Sequence, residues 1–290
     1  MTITVGAVLA CRNRRELTIS CLRSLFEQRV AGIKICAYVV DDASSDGTPE
    51  AIKSEFASVN LMSGSGQLYW NGGMRVAFAA ARKASHDYYL WLNDDTQLFG
   101  DSLNRLIAAH AELSSRGNEP TILVGSTCAP SDQTETTYGG WVRKGQGNWL
   151  DLRLVSPSKS GMLPCDTFNG NCVLIPREAA GIVGNLDGSF THSMGDIDYG
   201  LRARKLGCQL RVVAGHVGTC ELNRGNGLWS DASLPMMSRW RKLLGPKGLP
   251  PREWLTLTRR HTGRFWLLYW LNPYVKFWFL VFPSYVYRRK

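Results

Sequence analysis

The sequence predicts an α/β protein with a largely parallel sheet flanked by helices, followed by a basic, aromatic C-terminal tail. Three observations carry this prediction. Apolar runs alternate with amphipathic stretches through residue 125, the pattern of parallel strands joined by crossover helices. Two acidic clusters directly follow strand-like runs, where open α/β sheets bind ligands. Charge is unevenly divided. From Arg239 to Lys290, 12 Lys/Arg face only Glu253, a local charge of +11; the preceding residues hold 22 Lys/Arg against 23 acids.

The elements follow in order. Ile3 to Ala10 is a Val/Ile-rich run and reads as a buried strand. Arg14 to Gln28 carries Leu17, Cys21, Leu22 and Leu25 at helical spacing. Ile33 to Val40 is a second buried strand that ends at Asp41-Asp42. Thr48-Pro49-Glu50 opens a helix, with Thr48 as cap and Pro49 in the first turn. A short strand spans Val59 to Met62, and an Ala-rich helix runs from Gly72 to Ala84. Tyr88 to Leu92 is a buried strand ending at Asn93-Asp94-Asp95. A helix at Asp101 to Ser115 and a strand at Ile122 to Gly125 complete the alternation. Residues 126–162, rich in Gly, Ser, Thr and Trp, read as loops and short antiparallel strands. Cys172 to Ile175 reads as a strand, with helices from Arg177 and over Asp196 to Leu206, then a strand at Gln209 to Val213.

Composition sets limits. With 44% apolar and 20% charged residues in 290, the chain is ordinary globular material, so disorder is excluded. The near-neutral body disfavours a nucleic-acid binder, and the basic tail favours an anionic surface as partner. The eight cysteines show no C-x-x-C spacing and no zinc pattern, which leaves buried, reduced thiols in the cytoplasm as the expectation. The N-terminus has no basic region followed by an apolar stretch, so no secretory signal is expected.

Acids at strand ends suit nucleotide chemistry. A carboxylate there accepts from a base or ribose, or holds a divalent metal against a diphosphate. No phosphate-binding P-loop and no dinucleotide fingerprint is present. A site built from acids rather than from a glycine cradle needs a metal to tolerate phosphates.

Several segments together resemble the family 2 glycosyltransferases of the GT-A fold. The strand ending in Cys11-Arg12-Asn13-Arg14 is similar to the family's opening. Val39 to Thr48 resembles its VVDDxSxDGT segment, and Gly66 to Met74 its glycine-rich segment before a helix. Asn93-Asp94-Asp95 stands where the family has its D-x-D-type metal motif, and Met194 to Arg204 resembles its second acidic motif. The resemblance covers roughly residues 3–220 and implies a nucleotide-diphospho-sugar transferase with a Rossmann-like mixed sheet.

It also implies roles. Asp42 would meet the nucleotide base and Asp94 the ribose, with Ala10, Arg12, Asn71, Gly72, Gly73 and Asn93 completing the donor site. Asp95 would coordinate Mn2+ or Mg2+, with His216 as a candidate further ligand. Asp196 would be the general base of an inverting displacement, with Asp198 and Arg202 in support. Arg202 and Arg204 either pair with an acid or reach the diphosphate. Tyr69, Trp70 and Trp141 are candidates for stacking on sugar.

Two departures stand out. The Glu that often precedes the family's catalytic Asp is Gly195 here. Arg239-Trp240 lacks the Gln of the processive Q-x-x-R-W motif, so addition of a single sugar is expected.

The expected organisation is a catalytic domain over residues 1–233, with a nucleotide-binding half (1–125) and an acceptor-binding half (126–233), then an extension over 234–290. The stretch from Phe265 to Tyr287 holds 11 of the chain's 30 aromatics but is interrupted by Asn272, Pro273, Lys276 and Pro283, so no membrane span is expected. Aromatic and basic residues together suit peripheral attachment to the inner face of the cell membrane. Packing of these aromatics on the catalytic domain or on a second subunit is the competing expectation.

The resulting expectation is transfer from a UDP- or dTDP-sugar to a lipid-linked or polysaccharide acceptor, in bacterial O-antigen or capsule assembly. The alternatives are a sugar nucleotidyltransferase and a non-catalytic docking or glycan-binding module. An oligomer is compatible with the sequence.

Overall fold

The computed structural model describes residues 2–28, 30–117, 119–144, 150–222 and 229–287, with side chains described through Phe279. Arg288, Arg289 and Lys290 of the basic terminus lie outside the described residues.

The N-terminal half alternates as the sequence predicts. Its elements are β1 (Ile3–Cys11), α1 (Arg15–Phe26), β2 (Ile33–Asp41), α2 (Thr48–Glu55), β3 (Asn60–Ser63), α3 (Tyr69–Ala84), β4 (Tyr88–Leu92), β5 (Gln97–Leu98), α4 (Ser102–Arg116) and β6 (Thr121–Cys128). Short strands follow: β7 (Thr136–Tyr138), β8 (Gly140–Arg143), β9 (Leu152–Leu154), β10 (Leu163–Pro164) and β11 (Thr167–Phe168). Then come β12 (Cys172–Pro176), α5 (Arg177–Val183), α6 (Gly195–Lys205) and β13 (Gln209–Thr219). The C-terminal extension is helical: α7 (Met236–Leu244), α8 (Pro251–His261) and α9 (Trp266–Tyr287).

The main sheet runs β10-β13-β6-β12-β4-β1-β2-β3. Strands β3, β2, β1 and β4 are parallel. Strand β12 enters antiparallel between β4 and β6, so the sheet is mixed. A small antiparallel sheet, β11-β8-β9, stands beside it.

Alternation along the strands feeds two apolar layers. Val8, Val40, Trp91 and Val173 face one layer, where α3, α5 and α6 pack through Met74, Phe78, Ala180, Tyr199 and Ala203. Leu9, Val39, Leu90 and Leu174 face the other, covered by α1, α2 and α4 through Leu22, Ile52 and Leu103. Fully buried Trp91 touches Phe78, Phe168 and Tyr199, which fixes α3 and α6 over β4. All eight cysteines are free, and seven of them are buried.

Of the boundaries that differ from the expectation, three have a visible cause. Helix α3 starts at Tyr69, not Gly72, because a distant side chain caps it: Asp42 accepts from the amides of Leu68 and Tyr69 at 2.9 and 3.0 Å. Thr48 is inside α2, and Asp46 accepts from its amide at 3.1 Å in the capping role. Strand β13 continues past Ala214-Gly215 through an irregularity, with Gly215 at φ +64°, and reaches Thr219.

Among the described residues no helix is long and apolar enough to cross a membrane. Helix α9 contains Pro273, which cannot donate to the carbonyl of Tyr269 four residues back. The indole of Trp254 on α8 donates to that carbonyl instead, at 3.2 Å.

Candidate active site

The first two strands end level, with Cys11 opposite Asp41, so their following loops meet. The Asn13 amide donates to Ser44 Oγ at 2.8 Å, and Asn13 Oδ1 accepts from the Ser45 amide at 2.7 Å. Asn13 and Ala43 both have positive φ, a strained conformation for residues with a side chain. Both oxygens of buried Asp42 are engaged: Oδ1 by the Gly66 amide at 2.6 Å, Oδ2 by the start of α3. Arg12 is exposed and donates to the Gly66 carbonyl. Gly73 lets α3 lie directly on β1, since a Cβ there would stand 2.7 Å from Ala10 Cβ.

The glycine-rich segment is thus the first turn of a helix whose amides have partners within the chain. Asn71 donates to the Thr191 carbonyl at 3.2 Å and Gly72 to the Leu68 carbonyl at 3.1 Å. Asn71 is fully buried; its Nδ2 donates to the carbonyls of Asp187 and Phe190 at 2.9 and 2.6 Å. This side chain ties α3 to the loop that precedes α6.

Asn93, Asp94 and Asp95 follow β4. Asp94 is 5% exposed, and burial pushes its carboxyl up to about 6 against the pull of Arg14, with Asp95 adding to the rise. Arg14 bridges the pair, 2.8 Å from Asp94 Oδ1 and 2.9 Å from Asp95 Oδ2. Cys220, just past β13, sends its thiol to Asp95 Oδ1 at 3.3 Å. Burial, then Asp95, pushes that thiol up, so it donates as the neutral form.

Two adjacent carboxylates supply the hard oxygen ligands that Mg2+ or Mn2+ takes when substrate phosphates complete its shell. Their arrangement fits such an ion held jointly with a diphosphate. Among the described residues no group of three or more His, Cys, Asp or Glu could hold a metal by itself. His216 has a different partner in this structure. It stands within β13 with Nε2 2.9 Å from Thr136 Oγ1, and Cys220, four residues on, is what reaches Asp95. The bulged extension of β13 carries the chain past His216 before it meets the acids.

Asp196 lies in the first turn of α6, entered through Met194 at φ +71°. Its Oδ2 accepts from the Gly170 amide at 3.0 Å and its Oδ1 from the Ile197 amide at 2.8 Å. The side chain is half-buried, and burial raises its carboxyl above the ordinary value against these hydrogen bonds and one from Asn169. Asn169 Oδ1 in turn accepts from the indole of Trp141 at 2.6 Å. Trp70 sits against Gly170, where a Cβ would collide with its ring, and its indole donates to Asn93 Oδ1 at 2.6 Å. Trp70 and Trp141 therefore hold the asparagines around the acids.

Asp198 is fully buried and faces away from Asp196. Burial pushes its carboxyl up, but hydrogen bonds from His261 and Arg202 outweigh it and hold the group below the ordinary value. Arg202 Nε lies 2.7 Å from Asp198 Oδ2, so Arg202 pairs with an acid, and Arg204 pairs with Asp166.

The two acidic sites meet through a link the sequence does not announce. The Asn93 amide donates to the Asn171 carbonyl at 3.1 Å. Asn171 follows Gly170, which holds Asp196. Arg14, Asn169, Gly170, Asn171 and Cys220 are thus parts of the site that sequence reasoning missed. The available signal was Asn169-Gly170-Asn171 directly before β12. It becomes meaningful only once β12 pairs antiparallel with β4 and sets Cys172 opposite Leu92.

The glycosyl transferase family 2 profile matches residues 7–146. No curated protein matches the sequence. Among solved structures, the mannosyltransferase PcManGT from Pyrobaculum calidifontis, in complex with GDP-Man and Mn2+, superposes with a TM-score of 0.56 at 15% identity, over 89% of this chain and 65% of that one. TarS from S. aureus gives 0.53 at 14% identity over 89% of this chain and 42% of its own. Its 1–349 portion in complex with UDP gives 0.53 at 13%, over 89% and 70%. The chain thus spans less than two thirds of the first two structures. The stretch that resembles glycosyl transferase family 2 holds both strand-end acid clusters but covers just under half of this chain; the GT-A fold is shared with these glycosyltransferases across nearly all of it.

Proposed function

We propose that the protein is an inverting, metal-dependent glycosyltransferase that moves a single sugar from a nucleotide-sugar to a lipid-linked or polysaccharide acceptor in bacterial cell-surface glycan synthesis. The observation that carries the reading is the short path from Asp95 through Asn93, Asn171 and Gly170 to Asp196. It sets a half-buried carboxylate of raised affinity for protons beside a carboxylate pair suited to a metal diphosphate.

In this reading Asp196 takes the proton of the acceptor hydroxyl while that oxygen bonds to the anomeric carbon. The bond from that carbon to the diphosphate breaks, its electron pair leaves with the nucleoside diphosphate, and the anomeric centre inverts. A base with a pKa raised toward the working pH suits this step. Asp95, with Asp94 beside it, would hold Mn2+ or Mg2+, which offsets the charge of the leaving diphosphate. Asn93, Trp70 and Gly170 keep the two carboxylate sites in register.

The extension holds the enzyme against an anionic membrane surface, where a lipid-linked acceptor is found. Helix α9 supports this: Leu267, Leu268, Leu271, Val275, Trp278 and Phe279 are exposed at helical spacing, and Lys and Arg are concentrated in the residues before it, from Arg239 to Arg264. Tyr274, Phe277 and the partly exposed Trp278 pack on Trp240 of α7.

A donor panel tests the reading. The protein with Mn2+ is incubated with UDP-, dTDP- and GDP-sugars, and nucleoside diphosphate release and thermal stabilisation are followed. One donor should stabilise and turn over, with both effects lost in EDTA and in Asp95→Ala. Release of pyrophosphate instead would indicate a nucleotidyltransferase.

A further inference from the structure

Helix α8 belongs by sequence to the extension, yet it is fastened to the loop and helix that deliver Asp196. Asp198 Oδ1 accepts from His261 Nε2 at 3.0 Å and from an Arg260 nitrogen at 3.2 Å. The other terminal nitrogen of Arg260 reaches Asp187 Oδ2 at 2.6 Å. Glu253 Oε2 accepts from the Thr191 amide at 3.0 Å. Leu257 packs with Phe190 and Met194, and Ile197, Leu249 and Trp254 close over them. Lys205, at the other end of α6, donates to the Arg260 carbonyl.

Helical geometry gives these contacts a consequence. Two residues turn a helix by about 200°, so Asp196 and Asp198 leave α6 on opposite sides. Asp196 faces Gly170 and Asn169; Asp198 faces α8. The first turn of α6 is gripped from behind by the residue two positions after the base. Met194, at φ +71°, has no glycine's freedom to hold that turn unaided.

We propose that Arg260 and His261 are positioning residues that fix the first turn of α6 through Asp198, so that the extension is a working part of the acceptor side of the site. Neither residue touches the reacting atoms. His261 is wholly buried, and the ring donates from Nε2 to the carboxylate. Arg260, about one-third exposed, joins Asp198 to Asp187 across the loop. The inference rests on the transfer reading for the base, but its structural half stands apart from it.

The test compares the full chain with His261→Leu, His261→Gln and Arg260→Ala. Amide hydrogen exchange is read over residues 187–200 and, as reference, over 3–11 and 88–95. Nucleoside diphosphate release and donor KM are measured with whichever donor the panel yields. The expected result is at least tenfold faster exchange confined to 187–200 in His261→Leu and Arg260→Ala. Turnover should fall at least tenfold with donor KM within twofold, and His261→Gln, which keeps a donor near Nε2, should recover most of both.

Unchanged exchange at 187–200 with normal turnover would overturn the proposal. So would exchange that rises equally everywhere with Gln no better than Leu, the mark of a plain packing role. If His261→Leu does not fold, Arg260→Ala decides alone. If the unaltered protein turns over no donor, the transfer reading fails, and the exchange pattern still decides whether the grip exists.

Discussion

At the scale of single residues, Gly195 explains itself through Asn71. A Cβ at position 195 would run into the Asn71 side-chain oxygen, which is buried without a hydrogen-bond partner among the described residues. That amide cannot swing away, because its nitrogen is bonded to Asp187 and Phe190. The place where relatives often carry Glu is therefore filled from α3. Gly195→Ala should lower stability by about 1–3 kcal/mol, the usual range for overpacking, as read by denaturant unfolding. Asp196 makes the opposite prediction. Its raised pKa means the ionised form costs the folded state free energy above that pKa, and the cost vanishes as the group protonates at acid pH. Asp196→Asn should therefore raise the melting temperature near neutral pH, with the gain shrinking toward acid pH. In the proposed role Asp196 must be ionised to act as base. The acid limb of kcat/KM should accordingly lie above the ordinary carboxylate range.

At the scale of elements, long-range contacts decide what local sequence leaves open. The Pro273 break in α9 is answered by Trp254 from α8. Trp254→Phe should cost about 1 kcal/mol through that bond, and less in a Pro273→Ala background where the helix supplies its own donor. Equal costs in both backgrounds would deny the bond any role. The same principle explains what was legible in the sequence. Strands β1, β2 and β4 and the acids at their ends could be read because burial writes itself as apolar runs and turns as Asp and Asn. The start of α3 could not, since its cap is Asp42, 27 residues before Tyr69. The reach of β13 could not either, because Gly215 signals a break where the structure makes a bulge. Cys220, beyond that bulge, is for the same reason a neighbour of Asp95 that the sequence does not announce.

At the scale of the whole molecule, the extension has two faces. One grips α6, which carries Asp196; the other presents the apolar stripe of α9, where Leu268 is 64% and Phe279 is 74% exposed. A basic segment of this kind should sediment with anionic vesicles at low salt and release as salt rises, since the Debye length falls from about 10 Å at 0.1 M to about 3 Å at 1 M. Phe279→Ser together with Leu268→Ser should weaken binding even at low salt, while leaving donor turnover in solution unchanged. Vesicle binding indifferent to both salt and these substitutions would mean that α9 does not meet lipid.

The central claim is that one carboxylate performs the proton transfer while another site holds the donor. It is tested most directly by Asp196→Asn, with donor affinity and turnover measured on the same preparation. The account predicts nucleoside diphosphate release about 100- to 10,000-fold slower, the usual contribution of a general base, with donor affinity within twofold of the unaltered protein. Full turnover in this variant, or loss of donor binding in step with turnover, would contradict it.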